Sequence, residues 1–237
     1  GRASKSALQA WQGQPDFVKN VLNFASGEID YLAEITIPNA SQTISGNDNN
    51  RIRLASELLG LSLDLPHPFN KTVENIRPLE VLIEFTENND WVSVRFDNRV
   101  GANLRITEND FTGGKVVFGP EARQMRFGEV PLVESGLVFN GFLDRFDYDD
   151  WESSALRFSE MSLTPGIEQD TLADYISLVD IDAGRLLVVG QELENVHTQV
   201  SRSGGIEEDS ESGFGIGDSS WLVHLENELL SGSFMFP

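Results

Sequence analysis

The sequence predicts a mainly β protein: short antiparallel strands, each with one apolar and one wet face, and one or two short helices. Three observations carry this. In the run Ser56–Phe69, Leu59, Leu61, Leu63 and Leu65 alternate with Gly60, Ser62 and Asp64, a period of two that gives a strand one apolar side. The chain repeats that alternation many times between turn-rich segments. Few stretches have the helical apolar spacing that a covering helix needs.

In chain order, Pro15–Phe24 comes first, with apolar residues at Phe17, Val18, Val21, Leu22 and Phe24. It reads as a short helix stopped near Gly27, so residues 1–27 form a helical or irregular lead-in. Residues 28–237 read as one continuous β segment. Ile29, Tyr31, Ala33, Ile35 and Ile37 share a strand face up to Pro38, and Ser45–Asn50 is a loop. Ile52 and Leu54 begin the next strand, ahead of the leucine run. Pro66 ends that run because proline has no N–H for the ladder, and Pro68 keeps the exit extended.

After Pro78, Leu79, Val81, Ile83 and Phe85 alternate with Glu80, Leu82 and Glu84. Asn88-Asn89-Asp90 turns the chain into Val92, Val94 and Phe96, a hairpin. Strands follow at Ala102, Leu104 and Ile106, at Val116–Phe118, at Met125 and Phe127, and at Leu137 and Phe139. A short helix is expected near 149–158, where Asp149-Asp150-Trp151-Glu152 offers an acidic cap and a glutamate three residues on. Ile176, Leu178 and Ile181 lead to Leu186–Val189, then to Val196, Thr198 and Val200. A flexible acidic loop spans about 203–219. Trp221, Val223 and Leu225, then Phe234 and Phe236, make the final pair.

The totals exclude several classes. At 237 residues the chain has room for one large β domain or two smaller ones, and 40% hydrophobic residues is too many for a disordered chain. No apolar run reaches the length of a bilayer-spanning helix, and no signal peptide is visible. Gly1-Arg2-Ala3-Ser4 and Phe234-Met235-Phe236-Pro237 are expected to be cuts through a longer chain. Without cysteine there are no disulfides, no thiolate metal sites and no thiol nucleophile. A net charge of -21 argues against a nucleic-acid partner and against electrostatic docking on anionic lipid surfaces.

A sheet apolar on one side must cover that side. It can close as a barrel, pack on a second sheet, or bend into a trough that holds an apolar guest; periodicity leaves all three open.

Four stretches resemble one family in order and spacing. They are Ser56–Lys71, Gly136–Trp151, Leu186–Val196, and Trp221–Leu225 with Leu230–Phe234 and Pro237. Together, over about positions 30 to 237, they resemble the YhdP-type, AsmA-like proteins of Gram-negative bacteria. The chain is far shorter than the whole family protein, so it would be a fragment from the later part. The resemblance implies a curved sheet forming an open apolar groove, as in bridge-like lipid carriers. It also implies phospholipid transport between inner and outer membranes across the periplasm, by a protein anchored in the inner membrane, with no catalysis and no cofactor. The partners implied are phospholipid acyl chains, the remainder of the full-length chain, and membrane proteins at either end. The expected groove floor is Leu61, Leu63, Val81, Ile83, Phe85, Val94, Phe96, Leu104, Ile106, Val196, Val223 and Leu225. If these line a groove, Leu61→Asp should lower lipid binding and leave folding largely intact.

Other chemistry has little support. His67, His197 and His224 are isolated, without metal-binding spacing. Asp144, Asp147, Asp149 and Asp150 gather acid that calcium could use, but helix capping accounts for them better. No nucleophile elbow, P-loop or dinucleotide fingerprint is present, and Gly213–Gly217 sits among acids, a poor place for phosphate. The second reading is an extracellular adhesion or carbohydrate-binding β-sandwich, which should gather its aromatics on an exposed patch; Trp91, Trp151 and Trp221 are scattered.

Overall fold

Alternating residues give strands over most of the chain. The computed structural model describes residues 1–10, 21–38, 49–107, 110–127, 136–162, 175–203 and 220–236. The expected helix over Pro15–Phe24 lies partly, and the acidic loop near 203–219 almost wholly, outside the described residues.

The lead-in contains a strand, β1 (Arg2–Ser4), as well as a short helix, α1 (Lys5–Gln9), whose N-cap Ser4 hydroxyl accepts from the Ala7 N–H. Then come β2 (Ala25–Asp30), β3 (Leu32–Thr36), β4 (Asn50–Ser56) and β5 (Leu61–Leu63). The alternation at 29–37 is divided at Tyr31 between two sheets. β2 pairs with β1 and β5 in a three-stranded sheet, and β3 pairs with β4 in the large one.

The β2–β3 and β4–β5 segments pass from one sheet to the other through a bend. Gly27 has φ +104, and a Cβ there would lie 2.1 Å from the Gly60 carbonyl oxygen, so only glycine fits. Leu58 also takes a positive φ of 52. The bend shortens the leucine-run strand to Leu61–Leu63 and leaves Leu59 exposed at 53%.

The large sheet continues with β6 (Leu79–Phe85), β7 (Asp90–Phe96), β8 (Val100–Thr107), β9 (Asp110–Phe118), β10 (Gly136–Leu143), β11 (Phe146–Asp147), helix α2 (Tyr148–Ser162), β12 (Ile176–Val188), β13 (Gln191–Ser203), β14 (Ser220–Glu226) and β15 (Ser231–Phe236). Its spatial order is β15-β14-β13-β12-β10-β9-β8-β7-β6-β4-β3, with β11 paired beside β12. Among the described residues β3 and β15 are paired on one side only, so the sheet is open and not a barrel.

Tight turns set the antiparallel registers. Asp97 and Asn98 (φ 52 and 51) reverse the chain between β7 and β8, and Val189 and Gly190 (φ 50 and 69) do so between β12 and β13. Two consecutive positive φ values match the right-handed twist of a hairpin.

The sheet is mixed where the alternation alone gave only antiparallel pairs. β10 runs parallel to both neighbours, β9 and β12, and β11 is parallel to β12. Parallel neighbours need a crossover between them. One crossover is α2. The other begins with a 3-10 turn at Gly119–Arg123, and its Met125 and Phe127, expected in a strand, instead follow that turn outside any strand. Met125 and Arg126 carbonyls accept from Arg95 and Asn103 on one face of the sheet.

α2 is longer than the expected 149–158 and begins one residue earlier, at Tyr148. The Asp150 N–H donates to the Asp147 carboxylate, 3.2 Å, so Asp147 is the N-cap and not Asp149.

The main core sits at one margin of the large sheet, where the small sheet packs on it. Ala25, Ile29, Leu58 and Leu61 meet Phe96, Val100, Phe118 and Leu143, all buried. Phe69 joins them, its ring 5.9 Å from Phe96, 6.4 Å from Phe118 and 5.9 Å from Trp151 of α2. Lys71 is 4% exposed inside this cap, and its ammonium donates to the carbonyls of Leu61 (2.6 Å) and Thr72 (2.9 Å). Burial, with Arg77 nearby, holds its pKa below the usual lysine value.

Candidate functional site: the apolar face of the large sheet

Residues opposite each other across a ladder share a face, as does every second residue along a strand. Followed from strand to strand, the registers gather one apolar face. β3 and β4 give it Ala33, Ile35, Ile52 and Leu54. β6 and β7 give Leu79, Val81, Ile83 and Phe85 with Val92, Val94 and Phe96. β8 and β9 give Val100, Ala102, Leu104 and Ile106 with Val116 and Phe118. Leu137 and Phe139 of β10 carry the face across the parallel pairs to Val179, Ile181 and Ala183 of β12. Val196 and Val200 of β13, Trp221, Val223 and Leu225 of β14, and Phe234 of β15 complete it.

Ten of the twelve floor residues expected from sequence lie on this face: Val81, Ile83, Phe85, Val94, Phe96, Leu104, Ile106, Val196, Val223 and Leu225. Leu61 and Leu63 do not. They belong to β5 in the small sheet, with Leu61 in the core and Leu63 packed against it. Val92, Val116, Phe139, Ile181 and Val200 escaped the sequence list although they alternate in the same way. Only the register shows that they are neighbours of the others.

Burial is graded along the strands. Phe96, Val100, Phe118, Leu143, Ala183 and Val196 are buried at the capped margin. Val81, Val94, Leu104, Ile106, Ile181 and Val223 are half-buried, and Phe85 (38%), Phe234 (40%) and Ile35 (67%) are exposed. Away from the capped margin the face thus keeps apolar side chains within reach of solvent. That is an exposed apolar surface of a kind that marks a binding site.

The opposite face is wet and paired. Arg53 and Arg95 flank Glu80 at 2.8 and 3.1 Å, and Arg51 meets Glu84 at 2.9 Å. Farther along, His197 meets Asp182 at 2.9 Å and His224 meets the Ser233 hydroxyl at 2.8 Å. His67 is 2.8 Å from Asp144, near the cap.

The acids near α2 are held by protein groups. Asp147 takes Arg145 at 2.8 Å as well as capping α2. Asp149 accepts the N–H groups of Val189 (2.9 Å) and Gly190 (3.0 Å), fastening the β12–β13 turn to the helix. No group of three ligating side chains gathers for a metal among the described residues.

Two expectations follow. Asp149→Ala should destabilise the fold by about 1 kcal/mol and speed amide exchange at Val189 and Gly190 more than elsewhere. For Asp147, burial raises the carboxyl pKa, but the Arg145 and backbone hydrogen bonds outweigh it and hold the group below its usual value. A depressed carboxyl stabilises the fold above its unfolded pKa, about 4, and that stability is lost as pH falls through the folded value. Asp144 is lowered too: burial raises it, but the His67 hydrogen bond and Arg99 pull it down further. Urea unfolding should therefore weaken from pH 6 to pH 3, and Asp147→Asn should flatten part of that slope.

Compared with known proteins, the chain matches the family model described as YhdP protein over residues 1–237. No curated protein and no solved structure matches it.

Proposed function

Because the chain belongs to the YhdP family along its whole length, we propose that it is a segment of a bridge-like lipid carrier. It guides phospholipids across the periplasm between inner and outer membranes. The acyl chains lie on the apolar face, the rest of the full-length chain extends the path, and membrane proteins receive the lipid at either end.

The observation that carries this reading is the continuity of the apolar face through eleven successive strands, half-buried to exposed away from the capped margin. A bare acyl chain costs about 0.8 kcal/mol per CH₂ in water, so a tail of roughly sixteen carbons costs on the order of 10 kcal/mol. A continuous apolar floor removes most of that cost. Its contacts are non-directional, so a tail can move from strand to strand without breaking a specific bond. Catalysis has no part in the proposal: the histidines and the acids near α2 serve in pairs, turns and caps.

Native mass spectrometry of the purified chain, followed by solvent extraction, tests the reading. Bound phospholipid, released on denaturation, supports it. A lipid-free chain that stays lipid-free when mixed with phospholipid vesicles overturns it.

A further inference from the structure

The apolar face has two different ends along its strands. At one end of β6–β9 the row Leu79, Phe96, Val100 and Phe118 runs under the cap, and the last three are buried. At the other end the registers align the exposed Asn50 with Phe85, Asp90 and Ile106, so the face turns polar there. Between these ends the rows from β4 to β8 are apolar. The row next to the cap contains Val94, Ala102 and Val116, all half-buried, and Ala102 is the smallest of the three.

A tail lying along the strands has one orientation that keeps its headgroup wet. The dry cap end cannot solvate a phosphate, whereas Asn50 and Asp90 mark the end that water reaches. The headgroup therefore stands at the polar rim, and the methyl ends point toward the cap. The run between is finite. At about 3.4 Å of rise per residue, the 7 residues of β7 cover about 20 Å, and Val94 to Asp90, clear of the cap, about 13 Å. An extended tail advances about 1.3 Å per CH₂, from a C–C bond of about 1.5 Å, so the run takes roughly ten to sixteen carbons. A shorter tail leaves floor uncovered. A longer one must buckle against the cap or push CH₂ groups past Asp90 into water.

Resting on the lipid-carrier reading, we propose that this run is an acyl-length gauge. The row Val94, Ala102 and Val116 stops the tail ends, the rim at Asn50 and Asp90 marks the headgroup boundary, and phospholipids whose tails match the distance between them are held in preference to shorter or longer ones.

The test offers the purified chain an equimolar, detergent-solubilised mixture of dioctanoyl, dimyristoyl and diarachidoyl phosphatidylglycerol, and reads the bound species by native mass spectrometry. The wild type should hold the dimyristoyl lipid about fivefold over either of the others. Ala102→Phe fills the row in front of the cap and should shift the preference to the dioctanoyl lipid. Asp90→Leu extends the apolar run at the rim and should raise the share of the diarachidoyl lipid. Opposite shifts separate a gauge from a loss of folding, which would lower all three lipids together. Equal occupancy by the three lipids in the wild type, or a preference that neither variant moves, overturns the gauge and leaves the lipid-carrier reading standing. A common fall of all three in Ala102→Phe, with the preference unmoved in Asp90→Leu, overturns the gauge as well. A wild type that binds none of the three overturns both.

Discussion

Leu104→Asp is expected to strip the chain of phospholipid and leave it folded. Leu104 is half-buried in the middle of the apolar face, opposite Val92 on one side and Gly114 on the other. Its side chain contributes only part of a full leucine burial, so the folding cost should be about 1–2 kcal/mol. A carboxylate there would have to be desolvated under every tail that crosses β8, at a cost of several kcal/mol. Lipid retained through purification should fall by at least about tenfold. Unchanged lipid content would separate the face from the cargo. Loss of the folded state would mean that the face is packed against protein.

The second large effect is the reverse. Phe118→Ala should cost about 3–5 kcal/mol of stability, because Phe118 is 6% exposed and packs against Phe69 and Phe139 at 6.4 Å each. Its place on the apolar face does not make it a cargo contact; it belongs to the capped margin. Urea unfolding monitored by tryptophan fluorescence should show an early transition, since Trp151 sits in the same aromatic group. A loss below about 1 kcal/mol would mean that the cap is not a core.

The same distinction decides Leu61. From alternation it resembles Leu104, and Leu61→Asp looks like a test of lipid binding. In the structure Leu61 is 5% exposed within the cap, and the buried Lys71 ammonium bonds its carbonyl. Aspartate there should unfold the cap, so Leu61 reports on folding and Leu104 on binding.

Period two fixes which residues share a side of a strand, and it did so for Val81, Ile83, Phe85, Val94 and Leu104. It contains nothing about which strand lies next to which. The parallel insertion of β10 is therefore invisible in the alternation, and so is the bend at Gly27 and Gly60 that carries β2 and β5 into a second sheet. The helix near Asp149 was legible from its acids, but those acids divide into one cap, Asp147, and one clamp on a distant turn, Asp149. The clamp joins residues forty positions apart, beyond any local pattern. The polar rim at Asn50 and Asp90 likewise needs the β4–β6 and β6–β7 registers.

The sameness of the face from β4 to β14 has a kinetic meaning. Valine, isoleucine, leucine and phenylalanine recur with little change from one end of the stack to the other, so no stretch offers a much deeper well than the next. Movement along such a surface is a random walk without a ratchet. Under the lipid-carrier function proposed here, net flow then has to come from unequal supply and removal at the two termini of the path, with the direction of traffic set outside this part of the protein.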